Sequence, residues 1–205
     1  MSLSIFALAA SLLVSCTREP PPFEEEKAKA KADRLIAEEN RRINSLAPEF
    51  SDSLEWINSK PVTMRSLRGK AVFIRFWRSE CEMCQQSVPT LNYLDKTYKQ
   101  KGLVIIGLHI EYKNDPKVNR RIVEKTMKLW HIDFPVAIDR QGATVSRYLL
   151  PDSDYASASV LIDRRGRLQW IHPGGVLCAP PAPGFYPTEP AFESLRTNIE
   201  AALKE

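Results

Sequence analysis

Residues 71–84 read AVFIRFWRSECEMC, and the expected fold follows from them. The first half, residues 71–77, is a short apolar run rich in β-forming residues, which predicts a strand buried on both faces. Cys81 and Cys84 follow at a spacing of about one helical turn. Apolar residues then recur at helical spacing through residues 82–100. We therefore expect a buried strand, a short loop and a helix that begins at two thiols.

The segments around this unit alternate between strand and helix signals. Further strands are expected at six places: residues 54–57, 62–67, 103–110, 134–138, 160–163 and 167–172. Further helices are expected at three places: residues 115–131 with Asp115 as N-cap, residues 142–150 and residues 188–203. The first two and the last two of these strands are each predicted to pair as a hairpin. Strands that alternate with helices predict an α/β fold, with a mixed central sheet flanked by helices.

The composition fits one folded domain with appendages. Of the 205 residues, 43% are hydrophobic and 26% are charged, which excludes a large multidomain assembly and a disordered chain. Lysine and arginine total 29 against 25 acidic residues, and this net charge of +4 is too small and too dispersed to indicate a nucleic-acid partner. Four cysteines are too few for a disulfide scaffold, so each has to be interpreted by its position.

The chemistry of the sequence is concentrated at Cys81 and Cys84. The first backbone N–H groups of a helix have no partner within the helix, and they favour a thiolate. We expect Cys81 to attack a partner disulfide and Cys84 to resolve the mixed disulfide. Half of a zinc site is the alternative, but zinc needs about four ligands, and no second CxxC or paired histidine follows.

Several motifs occur together with the two cysteines. Residues 47–50 (APEF), Trp77 ahead of the CxxC motif, Pro89 and residues 101–107 (KGLVIIG) are followed by residues 160–163 (VLID). This combination resembles the TlpA-like family of membrane-anchored thiol-disulfide oxidoreductases, which have a thioredoxin-like fold.

The resemblance covers about residues 47–174. Within it, residues 134–139 (FPVAID) are similar to the thioredoxin domains of DipZ-type membrane electron carriers. The resemblance implies a thioredoxin-like domain over residues 47–205 that exchanges electrons with protein thiols and disulfides outside the cytoplasm. It also implies an upstream membrane electron donor or acceptor, and no cofactor beyond the redox-active disulfide of Cys81 and Cys84.

Two positions depart from the family pattern. The family's cis-proline, which faces the dithiol, corresponds to Ser157, four residues before Leu161. A cis bond before serine costs about 2.5 to 4 kcal/mol, so we expect residues 154–158 to be trans, with weaker substrate grip and weaker exclusion of metals. Arg75 stands where thioredoxins carry a buried acid, and an arginine cannot accept the proton of the resolving thiol.

The charged residues near the dithiol leave alternatives open. Arg75 can lower the pKa of the cysteines through its charge unless Glu80 or Glu82 neutralises it, or it can belong to a structural ion pair. Glu80 and Glu82 flank Cys81, where they can relay protons or be solvated loop charges.

The first residues are expected to be an export signal. Residues 3–14 (LSIFALAASLLV) form an uncharged apolar run that is too short to span a bilayer and typical of a signal-peptide core. The following Ser15-Cys16 resembles the end of a bacterial lipobox, which implies a signal peptide over residues 1–15 and lipidation of Cys16. A secretory peptide with an incidental cysteine is the alternative. Acyl chains would hold the protein on a bacterial membrane, so we expect a lipid-anchored, extracytoplasmic, periplasm-facing domain.

Two segments are predicted to connect the folded parts. Residues 16–46 are expected to form a lipidated tether and a charged helical spacer, with a dimerisation helix as the alternative. Residues 173–187 are expected to form a proline-rich loop. Cys178 in this loop is either an unpaired structural cysteine or a third redox thiol or metal ligand.

Three function classes follow from these features. The first is an extracytoplasmic, lipid-anchored thiol-disulfide oxidoreductase that uses Cys81 and Cys84. The second is a metal or iron–sulfur binding protein that uses the same cysteines. The third is a non-catalytic thioredoxin-like scaffold that presents the proline-rich loop to a partner.

Overall fold

The computed structural model describes residues 40–110, 119–149, 156–172, 174–177 and 189–205, together with positions 30, 33, 34, 37 and 38. The chain divides into two units, Met1–Arg34 and Leu35–Glu205, and all elements named below lie in the second. The predicted signal peptide, Cys16, Cys178 and most of the proline-rich loop lie outside the described residues.

A mixed sheet forms the centre of the second unit. Within the described ranges it has six strands: β1 (Glu55–Ile57), β2 (Ala71–Trp77), β3 (Leu103–Ile110), β4 (Val136–Asp139), β5 (Ser159–Ile162) and β6 (Leu168–His172). Their order is β1-β4-β3-β2-β5-β6. β3 pairs in parallel with both β2 and β4, and the remaining pairs are antiparallel. The predicted α/β fold with a mixed central sheet is confirmed.

Helices pack on the sheet. In the described part of the chain they are α1 (Glu82–Tyr98), α2 (Arg120–Trp130), α3 (Val145–Tyr148) and α4 (Glu189–Ala202). A short 3₁₀ turn, Lys99–Lys101, ends α1. The continuous helix predicted over residues 115–131 is wrong, because α2 begins at Arg120 after an extended Asn119; the predicted N-cap Asp115 lies outside the described residues. The Asn119 side chain accepts a hydrogen bond from the backbone N–H of Ile122 at 3.2 Å and so caps the helix.

The predicted hairpin between residues 54–57 and 62–67 is also wrong. β1 pairs with β4, and residues 62–67 form no strand, since a turn covers residues 64–69. The hydroxyls of Thr63 and Ser66 each accept a hydrogen bond from the other residue's backbone N–H, and the Glu49 carboxylate accepts from the backbone N–H groups of Met64 and Arg65. These two N–H groups therefore have a partner outside the sheet, although the Met64 side chain is buried in the core.

The segment expected to be a spacer contacts the domain at its end. Arg42 donates a hydrogen bond to the carbonyl of Tyr148 at 2.7 Å, and the backbone N–H of Asn44 donates to the carbonyl of Leu168 at 2.7 Å. Leu46 forms a β-bridge with Arg167. Residues 42–46 are thus attached to the sheet edge and to α3.

Core packing on the two faces of the sheet follows the alternation of side chains along β2. Val72, Ile74 and Phe76 belong to the apolar cluster that includes Tyr148, whereas Phe73 belongs to the other cluster, which includes α1. Successive side chains of a strand point to opposite faces. The odd-numbered residues of β2, Arg75 among them, therefore lie on the face covered by α1.

The helix α1 offers a test of this core. Leu94 on α1 is completely buried, whereas Leu129 on α2 is 70% exposed. We expect Leu94→Ala to lower the free energy of unfolding by about 2 to 5 kcal/mol, because the lost atoms leave a cavity. Leu129→Ala is the matched control, with an expected change within about 0.5 kcal/mol. Urea denaturation of both variants measures the difference, and equal losses would contradict the packing of α1 on the sheet.

Candidate active site

The two cysteines lie at the junction of β2 and α1. Cys81 caps α1 from an extended backbone conformation, and its sulfur accepts a hydrogen bond from the backbone N–H of Cys84 at 3.1 Å. The two residues form a disulfide, with their Cα atoms 5.1 Å apart. Cys84 is buried, whereas Cys81 is partly exposed. Of the two sulfurs, Cys81 is therefore the one that an incoming disulfide can reach.

Trp77, the last residue of β2, packs beside this disulfide. Its ring contacts His109 edge-on, with centroids 4.8 Å apart, and Trp130 at 5.5 Å. Trp77 and Cys84 line the same small cavity. The residue singled out by sequence as part of the family pattern is thus a packing group that supports the helix start.

His109 is a site residue that the sequence analysis did not single out. It is fully buried on β3, in register with Trp77, and its Nε2 lies 3.2 Å from Ser79 Oγ in the loop that leads to Cys81. Burial, followed by the positive charges of Arg140 and Arg78, lowers the pKa of His109 to about 4. The imidazole is therefore neutral at pH 7. In the sequence, His109 lies near the end of a predicted strand, which could have marked it as a site residue. Its contact with Ser79 could not be predicted from the spacing of the two residues.

Arg75 lies in the middle of β2 and is only 1% exposed. Its Nη1 donates to the carbonyl of Ser157 and to Ser159 Oγ, and its Nη2 donates to Ser87 Oγ and to the carbonyl of Gly175. All four acceptors are neutral oxygens. Among the described residues no carboxylate pairs with Arg75, so the ion-pair interpretation has no support in this part of the chain.

Ser87 and Gly175 connect this arginine to the neighbouring elements. Ser87 lies one helical turn after Cys84 on α1, where its hydroxyl donates to the carbonyl of Met83 at 2.6 Å. The same oxygen accepts from the backbone N–H of Leu177 at 2.9 Å. A hydroxyl has one donor and two acceptor sites, so these bonds and the one from Arg75 use all of them.

Ser157 occupies the loop that precedes β5. Its peptide bond is trans, as expected, and its φ is +71°. Its backbone N–H donates to the carbonyl of Phe76 at 3.1 Å, and its hydroxyl accepts from the N–H of Gly175 at 2.8 Å. A proline at this position could adopt neither this φ nor this backbone hydrogen bond. The hydrogen bond between Ser157 and Phe76 therefore extends the pairing of β2 with β5 beyond the end of β5.

Glu80 and Glu82 lie at the surface beside the dithiol. Both side chains are exposed, and the Glu82 carboxylate accepts a hydrogen bond from Gln86 at 3.1 Å. Neither neutralises Arg75, which is buried behind the helix start. Their position agrees with solvated charges near Cys81.

Comparisons with known proteins agree with this geometry. The sequence matches the Redoxin family over residues 42–177. The structure is similar to that of a thiol-disulfide isomerase from Corynebacterium glutamicum, with a TM-score of 0.62, 23% identity, and coverage of 78% of this chain and 97% of the other. At this level of identity the likeness concerns the fold, which is thioredoxin-like.

Two curated relatives carry the comparison further. The chain is 32% identical to the thiol-disulfide oxidoreductase ResA of Bacillus cereus over 132 residues, which are 64% of this chain and 69% of ResA. It is 34% identical to Protein DipZ of Mycobacterium tuberculosis over 128 residues, which are 61% of this chain and 18% of DipZ. The chain thus spans less than a fifth of DipZ and most of ResA.

A thioredoxin-like sheet, a CxxC disulfide at a helix start and a ResA relative define a thiol-disulfide oxidoreductase. The chain belongs to the Redoxin family, and its resemblance to TlpA-like oxidoreductases is confirmed.

Burial of His109 predicts a pH dependence of stability. Its folded pKa of about 4 lies below the ordinary value of 6.5, so between these values the unfolded state binds more protons. Neutral His109 therefore lowers stability only when the pH falls below its ordinary pKa of about 6.5. As the pH falls from there to about 4, the free energy of unfolding decreases by up to about 3 kcal/mol.

We expect His109→Asn to flatten this pH dependence, as measured by urea denaturation between about pH 4 and pH 7. His131→Asn is the matched control, because it removes an imidazole that is exposed. His172, whose pKa is also lowered to about 4, retains its own contribution in both variants. An unchanged slope in His109→Asn would contradict the neutral, buried state of this ring.

Proposed function

We propose that this oxidoreductase exchanges electrons with protein disulfides through a Cys81/Cys84 dithiol, outside the cytoplasm and attached to a membrane by lipid on Cys16. The observation that carries the first part is the disulfide itself, with a partly exposed Cys81 at the N-cap of α1 and a buried Cys84 behind it. Protein substrates are supported by the relationship to thiol-disulfide oxidoreductases.

In the reducing direction, Cys81 is the nucleophile. The helix start and the N–H of Cys84, which points at the Cys81 sulfur, both favour a thiolate there. The Cys81 thiolate attacks a substrate disulfide, and one substrate sulfur leaves. Cys84 then attacks Cys81, closes the Cys81–Cys84 disulfide and releases the second substrate sulfur. The two cysteine thiols supply both electrons that reduce the substrate disulfide, so the step uses no further cofactor.

Support for the membrane location comes from the sequence. The apolar run of residues 3–14 is followed by Ser15 and Cys16, and residues 16–46 are predicted to lead to a domain over residues 47–205. Within the described residues, no helix combines the length and the apolar character required to cross a bilayer. An anchor made of acyl chains on Cys16 attaches such a domain to the membrane without a spanning helix. After each exchange, a membrane-bound electron donor would reduce the two cysteines again, or a membrane-bound acceptor would oxidise them again.

The roles of the two cysteines are separable by substitution. We expect Cys81→Ser to abolish disulfide exchange, measured by insulin reduction, because the nucleophile is lost. Cys84→Ser should accumulate mixed disulfides with substrate proteins, visible on non-reducing gels, because only Cys84 can release them.

A third variant serves as the control for this pair. Cys178→Ala removes a thiol outside the CxxC motif and should retain turnover without trapping. Equal trapping by the Cys81 and Cys84 variants would overturn the assignment of roles.

The anchor is tested in cells. We expect Cys16→Ala to move the protein from the membrane fraction to the soluble fraction, because the lipid attachment site is gone. Immunoblots of the two fractions measure the change, with Cys178→Ala as a cysteine variant that stays with the membrane. If Cys16→Ala remains in the membrane fraction, the lipoprotein proposal is wrong.

A further inference from the structure

A buried positive charge lies behind the resolving cysteine. Arg75 and Cys84 line the same small cavity, whose other walls include Val88, Leu91 and Trp130. Arg75 is 1% exposed and Cys84 is 2% exposed. Charges in an apolar, water-poor surrounding act on one another more strongly than charges in water. The two residues therefore border one enclosed space with little solvent in it. The Arg75 guanidinium also contacts α1, because its Nη2 donates to Ser87 Oγ at 2.9 Å, one turn after Cys84.

The charge of Arg75 is not neutralised within the described residues. Its four hydrogen-bond acceptors are uncharged oxygens, and its Nε lies buried without a hydrogen-bond partner in this part of the chain. Burial lowers the pKa of Arg75 to about 9, so the guanidinium is still protonated at neutral pH. Its charge is one of the causes that lower the pKa of His172 on β6.

The other charged or titratable groups around the dithiol do not cancel this charge. The described loop and helix start that carry the dithiol contain Arg78, Glu80 and Glu82, and strands β3 and β6 carry His109 and His172. The two carboxylates are exposed, so water screens them. The two histidines are neutral at pH 7, since the pKa of each is lowered to about 4. Arg78, in the loop before Cys81, is itself a cation and cannot neutralise Arg75.

We propose that Arg75 stabilises the thiolate of Cys84, so that the resolving cysteine is activated by a buried positive charge instead of by a general base. This inference rests on the proposed function of the dithiol. Burial by itself disfavours the charged form of a thiol, whereas a cation within a few ångströms favours it by about 1 to 3 pKa units. Among the described residues no carboxylate opposes this effect, so we expect the cation to dominate.

The resolving step then needs no proton acceptor on β2. Before the step, Cys84 has released its proton to water. The Cys84 thiolate attacks Cys81 in the mixed disulfide, the Cys81–Cys84 bond forms, and the bond from Cys81 to the substrate sulfur breaks. The substrate leaves as a thiolate and takes up a proton from water. Two electrons have passed from the dithiol to the substrate disulfide.

Arg75 also favours one direction of electron flow. A thiolate exists only in the reduced protein, so a cation that stabilises it favours the dithiol over the disulfide. Stabilisation of the reduced form makes a dithiol couple a stronger oxidant. Arg75 should therefore shift the Cys81/Cys84 couple toward donating its disulfide to substrates.

The thiolate of Cys84 can be titrated directly. In the full-length Cys81→Ser protein, ultraviolet thiolate absorbance is followed against pH, and the curve of the Cys81→Ser/Cys84→Ser protein is subtracted to remove the other thiols and tyrosines. We expect Cys84 to titrate below the ordinary cysteine value of about 8.5. Adding Arg75→Met should raise this midpoint by about one unit or more, and Arg75→Lys should raise it less.

Ser159→Ala is the matched control for a purely structural role. It removes one hydrogen bond to Arg75 but keeps the charge, so the Cys84 midpoint should stay unchanged. In the protein with both cysteines, Arg75→Met should shift the equilibrium with glutathione toward the disulfide by about tenfold, which corresponds to about 30 mV.

Three results would overturn the inference. One is a Cys84 midpoint at or above about 8.5 with Arg75 present, which decides the matter even if Arg75→Met does not fold. Another is an equal shift in Arg75→Met and Ser159→Ala. The third is an unchanged glutathione equilibrium in a folded Arg75→Met protein. Failure of the proposed function is a different outcome, namely neither reduction of insulin disulfides nor oxidation of a reduced protein substrate, together with a Cys84 titration that still depends on Arg75.

Discussion

Four hydrogen bonds from one buried guanidinium connect the parts of the structure that form the site. Arg75 is placed in the central strand, where water cannot solvate its charge, so the fold has to provide acceptors. Those acceptors come from the Ser157 loop, β5, α1 and residues 174–177. Because Ser87 lies one turn after Cys84, the same network reaches the helix that carries both thiols. The dithiol and its supporting elements are thus organised around a single charge.

The same network explains the departure at Ser157. In the family pattern a proline here orients the incoming chain, and a proline has no backbone N–H. Ser157 uses its N–H for Phe76 and its hydroxyl for Gly175, and its carbonyl accepts from Arg75. These groups are engaged inside the domain, so the loop is a structural continuation of the sheet. Arg75 and Ser157 thus belong to one hydrogen-bond network that joins this loop to β2 and to residues 174–177.

Local patterns predicted most of the elements. β2 and β3 have the predicted bounds, and the start of α1 and the edge hairpin of β5 and β6 agree within one or two residues, because apolar runs and helical spacing are written in neighbouring residues. The errors have local and distant causes: Asn119 caps α2 from within its own first turn, whereas a distant residue acts on residues 62–67. Residues 62–67 carry a strand-like pattern, but Glu49 binds two of their N–H groups and holds them in turns.

For the site, the sequence by itself determined the dithiol, its place at a helix start and the nearby tryptophan, because all three depend on residues within a few positions of one another. Only the tertiary structure decided what surrounds them. His109 contacts Trp77 and Ser79, and Arg75 donates to neutral oxygens of the described residues, because of strand register and of loops far apart in the chain. The charge and the burial of a site depend on such neighbours, which are distant in sequence, so they cannot be predicted from residue spacing.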